Sequence, residues 1–273
     1  MTQKAIILAG GMGTRMQKAR PQAEPLGKEA ERLASKGLKG LIPVAGRPFL
    51  DYVIGSLIKV GLTEVCLVIP PDNDELIRYI EGTGNRSGIR VTWAIQEEPR
   101  GTADALMSGR EFAGAEPFVM CNCDNLYPES ALQTLVAAAD ETCCAVAFDR
   151  DTLLEESNFG AERVRRFAVV VADEDGQLEE IVEKPETPET YTRGGRLWVS
   201  MNLYRFTGDI FDACERIEPD PERGELELTA AVRLLAAEQD VRVVFSSGAV
   251  IDMTGRGDIS AAEELLAGRD VGF

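Results

Sequence analysis

The 273-residue chain contains no histidine. That removes Ser-His-Asp and Cys-His catalysis, histidine-ligated zinc and any imidazole base, so any chemistry must run on carboxylates, lysine, arginine and backbone amides. Leu8-Ala9-Gly10-Gly11-Met12-Gly13-Thr14-Arg15 places three glycines in four positions and then a cation. Such a turn can offer unobstructed N–H groups to a polyphosphate, with Arg15 supplying charge. It is not a dinucleotide fingerprint, because Met16 stands where a third glycine belongs, and not a P-loop, because no Gly-Lys-Ser/Thr follows. Taken alone it reads equally well as a plain tight turn. Asp124 and Asp252 each follow an apolar run and are candidate ligands for a hard cation, though either could instead cap a turn. Glu183-Lys184 could be no more than a surface ion pair, worth under about 1 kcal/mol.

The elements that must position these residues follow from apolar periodicity. Ala5-Ile6-Ile7-Leu8 predicts a short buried strand ending at Gly10-Gly11. A helix is predicted from Pro48 to Ile58, a strand from Glu64 to Ile69, a helix from Asp72 to Ile80 and a strand from Arg90 to Ile95. Thr102 to Phe112 reads as a helix, Phe118 to Cys121 as a strand running into Asp124, Glu129 to Ala139 as a helix and Cys143 to Phe148 as a strand. This alternation predicts an α/β protein with a mostly parallel sheet covered on both faces, whose ligands bind beyond the carboxyl ends of the strands. Beyond about residue 150 the pattern changes. Strands at Phe167–Ala172 and Leu178–Val182 bracket the turn Asp173-Glu174-Asp175-Gly176. Another strand runs from Leu197 to Phe206, and later come helices near Ile210, at Leu228–Ala237 and at Ile259–Leu266, with short strands at Arg242–Phe245 and Ala249–Ile251. A single domain over 1–273 is expected, with a smaller, more antiparallel second lobe. The charged segment Gln17 to Leu38 interrupts this order and reads either as a solvated helix-and-loop insertion or as a mobile lid.

Composition narrows the partners. A formal net charge of −17 disfavours a general attraction to nucleic acid. No stretch approaches the roughly 18 apolar residues of a membrane span, and the N-terminus lacks the layout of a signal peptide, so a cytoplasmic protein is expected. Cys66, Cys121, Cys123, Cys143, Cys144 and Cys214 lack CxxC spacing and read as reduced core thiols; Cys121-Asn122-Cys123 as a metal or redox pair is the alternative.

Read in order, the motifs resemble those of the sugar-phosphate nucleotidyltransferases, which include glucose-1-phosphate thymidylyl- and uridylyltransferases. The Leu8–Arg15 turn is similar to the family's signature loop, and Lys39-Gly40-Leu41-Ile42-Pro43 with Gly46-Arg47-Pro48 to its next block. Gln96 and Gly101, in Gln-Glu-Glu-Pro-Arg-Gly-Thr-Ala, resemble its base-reading segment. Asn122-Cys123-Asp124-Asn125 resembles its metal-binding block, Glu183-Lys184-Pro185 its sugar-phosphate motif, Gly224-Glu225-Leu226-Glu227-Leu228 the following sugar-side segment, and Ile251-Asp252 the second metal-binding aspartate. The resemblance implies a Rossmann-like nucleotide-diphospho-sugar transferase fold, with a nucleotide-binding half over about 1–150 and a sugar-phosphate-binding half over about 151–273. It implies an enzyme that joins a nucleoside triphosphate, UTP or dTTP foremost, to a sugar 1-phosphate and releases pyrophosphate with Mg2+. Arg15, Lys39 and Lys184 are then the catalytic cations. Leu8, Ala9, Gly10, Gly11, Gly13, Thr14, Gln96, Gly101 and Thr102 hold the nucleotide; Glu183, Asn202 and Glu225 hold the sugar phosphate; Asp124 and Asp252 hold the metal. No nucleic acid or membrane partner is implied, and there is room for a homo-oligomer. Ala168, Asn202 and Ala230 depart from the thymidylyltransferase pattern on the acceptor side, which leaves a cyclitol, small-alcohol or molybdopterin phosphate, or a non-catalytic nucleotide-sugar-binding protein, as alternatives.

Overall fold

The structure is a computed structural model that describes residues 2–11, 13–18, 26–139 and 141–273, without the side chains of 84–87. Strand β1 (Lys4–Leu8) leads through the glycine turn to the one-turn helix α1 (Thr14–Gln17), helix α2 (Lys28–Ser35), the short paired strands β2 (Pro43–Val44) and β3 (Arg47–Pro48), and helix α3 (Phe49–Lys59). Then follow β4 (Glu64–Ile69), α4 (Asp74–Ser87), β5 (Arg90–Ile95), α5 (Thr102–Ser108), α6 (Arg110–Ala113), β6 (Phe118–Asn122), β7 (Asn125–Leu126), α7 (Glu129–Ala137) and β8 (Cys143–Asp149). The remainder comprises α8 (Arg150–Glu156), α9 (Ala161–Val164), β9 (Val169–Ala172), β10 (Leu178–Val182), β11 (Trp198–Phe206), α10 (Asp209–Arg216), α11 (Leu228–Glu238), β12 (Val241–Ser246), β13 (Ile251–Asp252) and α12 (Asp258–Leu266).

Nine strands form one sheet. Its main path runs β10-β9-β11-β6-β1-β4-β5, and β8 joins β11 and carries β12. The set β6-β1-β4-β5 is parallel, as the βα alternation predicts, and so is β8 with β12. Strand β11 runs antiparallel to β6, β8 and β9, and β9 to β10, so the sheet as a whole is mixed. Strand β1 shows why its sequence is apolar from Ala5 to Leu8. Ala5 and Ile7 pack into the layer that contains Phe49, Leu50, Val53 and Leu132, while Ile6 and Leu8 face the layer of Leu106, Phe118, Phe211 and Val232. A strand covered on both faces has no solvent side for a polar residue.

Most differences from the sequence reading lie at element ends and breaks. The expected Thr102–Phe112 helix divides at Gly109 into α5 and α6, glycine being the weakest helix former of that run after proline is excluded. Pro48 caps α3 from outside rather than entering its first turn. Helix α4 extends past Ile80, and its N-cap Asn73 accepts a hydrogen bond from the Leu76 amide at 3.3 Å. The short helices α1, α8 and α9 are additional, and α2 falls within the insertion read as helix and loop. Within the insertion, α2 is docked: Leu33 and Ala34 are buried, Arg256 meets Glu31 at 2.5 Å, and Glu75 receives Arg32 at 2.7 Å together with Lys36. The lid reading also covers residues 19–25, which lie outside the described residues. No helix among the described residues is long and apolar enough to cross a membrane.

Candidate active site

Parallel register brings the carboxyl ends of β1, β4 and β6 to one level, with Leu8 beside Val68 on one side and Asn122 on the other. The loops that leave these ends are locked together, since the Ala9 amide donates to the Val68 carbonyl at 2.8 Å and the Cys123 amide to that of Leu8 at 3.1 Å. They form the floor of a cleft of about 410 Å³. Leu8, Ala9, Gly10, Gly11, Lys39, Gln96, Gly101, Thr102, Asp124 and Glu225 all line it. Ten residues singled out for catalysis, a nucleotide, a metal or a sugar phosphate thus meet around one space, although 217 positions separate Leu8 from Glu225.

Two glycines explain how distant segments come so close. Gly13 takes a left-handed conformation (φ 59°), and a Cβ there would lie 2.6 Å from the Gly37 Cα, so the first turn packs directly on the turn that precedes Lys39. Gly101 has φ 119°, and a Cβ would stand 2.5 Å from the Leu226 carbonyl oxygen. No other residue fits such a backbone contact without strain. Around Gly101 the Leu226 amide donates to the Arg100 carbonyl at 2.7 Å and the Ala103 amide to the Leu226 carbonyl at 2.9 Å, while the Leu228 amide donates to the Thr102 hydroxyl at 2.9 Å. These bonds carry Glu225 to the cleft. Gly13 itself is buried under this packing, and Thr14 and Arg15 are exposed on α1, outside the cleft lining. Met12 lies outside the described residues.

The charges on the floor are paired. The Lys39 ammonium donates to Asp124 Oδ2 at 2.7 Å, both side chains being largely covered. Burial works against the ammonium, but the charge and hydrogen bond of Asp124, with Cys123 and Asp252 beyond, outweigh it and hold Lys39 above the ordinary lysine range. Asp252 reaches the same corner from the far end of the chain: β13 pairs with β7, setting Asp252 opposite Asn125, and the Met253 amide donates to the Asp124 carbonyl at 2.8 Å. Its carboxylate accepts from Arg163 at 2.6 Å and the Thr254 amide at 2.7 Å on Oδ1, and from Asn125 at 3.0 Å and the Thr254 hydroxyl at 3.1 Å on Oδ2. Burial first, and then the negative charge of Asp124, raise its pKa; Arg163 opposes both. Arg163 also holds Asp258 at 2.8 Å. Among the described residues no three acidic or cysteine side chains converge as a metal cluster.

A polar chain leads onward from this corner. The Asn122 amide donates to Asn125 Oδ1 at 3.3 Å, and the buried Tyr127 hydroxyl donates to the Met201 carbonyl at 2.7 Å, next to Asn202. Asn202 has φ 55°, the left-handed region that asparagine tolerates better than most side chains, and Lys184 has φ 43°. Lys184, half-exposed, faces Glu183 at 3.4 Å. Both act electrostatically on Glu227, whose carboxyl is raised by burial against the opposing pull of Arg223 at 2.6 Å. Glu183, Lys184, Asn202 and Asp252 lie outside the cleft lining. Ala168 is packed in the core and does not touch the cleft. Among the cysteines, Cys121 is buried in β6, and Cys123, at the cleft wall, is pushed up to about 12 by burial and then by Asp124, so it is a thiol and not a thiolate.

Several site residues left no mark in the sequence. Arg163 sits in Ala-Glu-Arg-Val-Arg-Arg, where its neighbours look alike, and only its partners on β13 and α12 set it apart. Lys36 lines the cleft from the insertion and Asn73 from the start of α4. Arg223 adds a cation beside Glu227.

A family model described as "Nucleotidyl transferase" matches residues 4–252. The low-salt glycan biosynthesis nucleotidyltransferase Agl11 of Haloferax volcanii is 30% identical over 232 residues, covering 85% of this chain and 57% of that protein, so the chain spans little more than half the length of this relative. A glucose-1-phosphate thymidylyltransferase of Xanthomonas campestris pv. campestris is 29% identical over 230 residues, 84% of this chain and 68% of that one. The UTP–glucose-1-phosphate uridylyltransferase AglF of Haloferax volcanii is 28% identical over 232 residues, 85% and 83%. The fold matches the crystal structure of a UDP-glucose pyrophosphorylase complexed with UDP-glucose, with a TM-score of 0.75 at 19% identity over 98% of this chain and 100% of that one. The inositol-1-phosphate CTP transferase from T. maritima matches with a TM-score of 0.73 at 17% identity over 97% and 95%.

Proposed function

Because the chain belongs to the Nucleotidyl transferase family, we propose that it is a sugar-1-phosphate nucleotidyltransferase. It would transfer a nucleoside monophosphate, from UTP or dTTP, to a sugar 1-phosphate in the cytoplasm. One phosphate oxygen of the sugar phosphate attacks the α-phosphorus of the triphosphate, the bond to the β-phosphate breaks, and pyrophosphate leaves. The nucleophile is already ionised near neutral pH, so a histidine-free site lacks nothing; the work is positioning and charge neutralisation.

The observation that carries this reading is the single cleft in which the glycine turn, Lys39, Asp124, Gln96 and Glu225 meet. Gly10 and Gly11 would face the phosphates, and Lys39 would neutralise the departing pyrophosphate with help from Arg15 on α1. Gln96, Gly101 and Thr102 would hold the base side. Lys184, with Glu183 and Asn202, would hold the attacking phosphate. The residues fit a hard divalent cation: Asp124 carries oxygen donors at the cleft wall, and Asp252, an adjacent carboxylate, feels its charge. Mg2+ held there would draw charge off the phosphates. Asp252 could join as a ligand only if one of its present donors yields.

The test is pyrophosphate release from each of five nucleoside triphosphates with glucose 1-phosphate, other hexose 1-phosphates and inositol 1-phosphate. Release from one triphosphate–sugar phosphate pair is expected. Tight triphosphate binding with no pyrophosphate from any acceptor would instead make this a non-catalytic nucleotide-binding protein.

A further inference from the structure

Gln96 follows β5 and is 6% exposed. Its Nε2 donates to Asp104 Oδ2 at 2.9 Å and to the Gly101 carbonyl at 3.1 Å. A carboxylate and a carbonyl have no proton to give, so the nitrogen end of the amide must face them, and both of its N–H groups are spent there. The other oxygen of Asp104 receives Arg100 at 2.7 Å, a donor-only partner that keeps this carboxylate an acceptor. At the opposite end of the amide, Oε1 occupies the space that a side chain on Gly10 would need: a Cβ there would be 2.9 Å away. No donor among the described residues reaches Oε1, and Gln96, Gly10 and Gly101 all line the cleft. At this point the cleft therefore meets an acceptor that cannot turn into a donor.

We propose that Asp104 is a positioning residue for base selection: it fixes the Gln96 amide with its oxygen toward the cleft, so that the site takes a pyrimidine with a ring N–H, uracil or thymine, over cytosine. The ring N3 of uracil and thymine carries a proton for that oxygen, whereas the N3 of cytosine presents a lone pair. A buried acceptor facing a lone pair loses its hydrogen bond and gains nothing in return, which is the circumstance in which polar sites discriminate most strongly. This deepens the proposed function and rests on Gln96 facing the base.

The experiment measures kcat/KM for UTP, dTTP and CTP with one fixed acceptor in the wild type and in Asp104→Asn, Asp104→Glu and Gln96→Met. In Asp104→Asn, Arg100 draws the new amide oxygen to itself and turns the NH2 toward Gln96, so only the Gly101 carbonyl still holds the original orientation and the flipped glutamine becomes competitive. The ratio of the better keto-pyrimidine triphosphate to CTP is expected to fall about tenfold or more, with KM for the acceptor unchanged. Asp104→Glu, still acceptor-only, retains the preference. A wild-type ratio near one, or a ratio preserved in Asp104→Asn, overturns the inference. Gln96→Met separates the two layers: if it collapses the ratio while Asp104→Asn does not, Gln96 reads the base but Asp104 does not set it. If Gln96→Met leaves the ratio intact, Gln96 does not face the base at all. Both results count against the proposal.

Discussion

A carboxylate offers about four lone-pair sites, and Asp252 has a donor for each: Arg163, Asn125, and the amide and hydroxyl of Thr254. Asp124 is less committed, with Lys39 on a single oxygen. A cation that needs both aspartates must therefore compete with Arg163, which already pairs with both Asp252 and Asp258. Replacing Arg163 with methionine is expected to lower the melting temperature of the metal-free protein, since removing one partner from a buried ion pair costs about 3–5 kcal/mol. Adding Mg2+ should then restore more stability than it adds to the wild type. Equal Mg2+ responses in the two melting curves would show that Arg163 does not compete with the cation. On the acceptor side, Lys184→Ala is expected to cost on the order of 100-fold in kcat/KM for the sugar phosphate with little change in KM for the triphosphate. Steady-state kinetics in both substrates read this directly, and an effect confined to the triphosphate would move Lys184 to the other half of the reaction.

At the scale of elements, the contact between the 100–103 turn and the 224–228 segment joins the two halves of the cleft, and Gly101 permits it. Gly101→Ala would force a Cβ into the Leu226 backbone at a φ that side chains rarely adopt. A loss of about 2–4 kcal/mol is expected, which calorimetry would register as a melting temperature lower by several degrees; an unchanged value would show that the segment can shift away at no cost. The parallel strands, most helices and the cleft floor were legible beforehand because each rests on a local signal: apolar runs bounded by glycine or proline, and motifs whose order along the chain is informative. Leu8–Gly11, Lys39, Gln96, Gly101, Asp124 and Glu225 belong to that class. Arg163, Lys36 and Asp104 do not, since a charged residue in or just after a helix looks solvated until the tertiary fold supplies its partner. The bounds and docking of helix α2, within a segment read only as helix and loop, were hidden for a related reason, as only Leu33 and Ala34 of its eight residues are buried.

For the molecule as a whole, the net charge of −17 sets the long-range field that an anionic triphosphate meets. Repulsion slows its approach unless the local cations dominate, and salt screens that repulsion beyond about 8–10 Å. Raising ionic strength from about 10 mM to 150 mM at fixed free Mg2+ is therefore expected to increase kcat/KM for the triphosphate. A decrease would mean that Lys39 and its neighbours, rather than the acidic surface, govern capture. The mixed sheet has a different consequence. Strand β8, contributed by the first half of the chain, has both of its neighbours, β11 and β12, in the second. A fragment ending near residue 150 would leave β8 with two raw edges, and the complementary fragment would lack the strand that joins β12 to the rest. Gene fission at that point would therefore cut one sheet along both edges of a single strand.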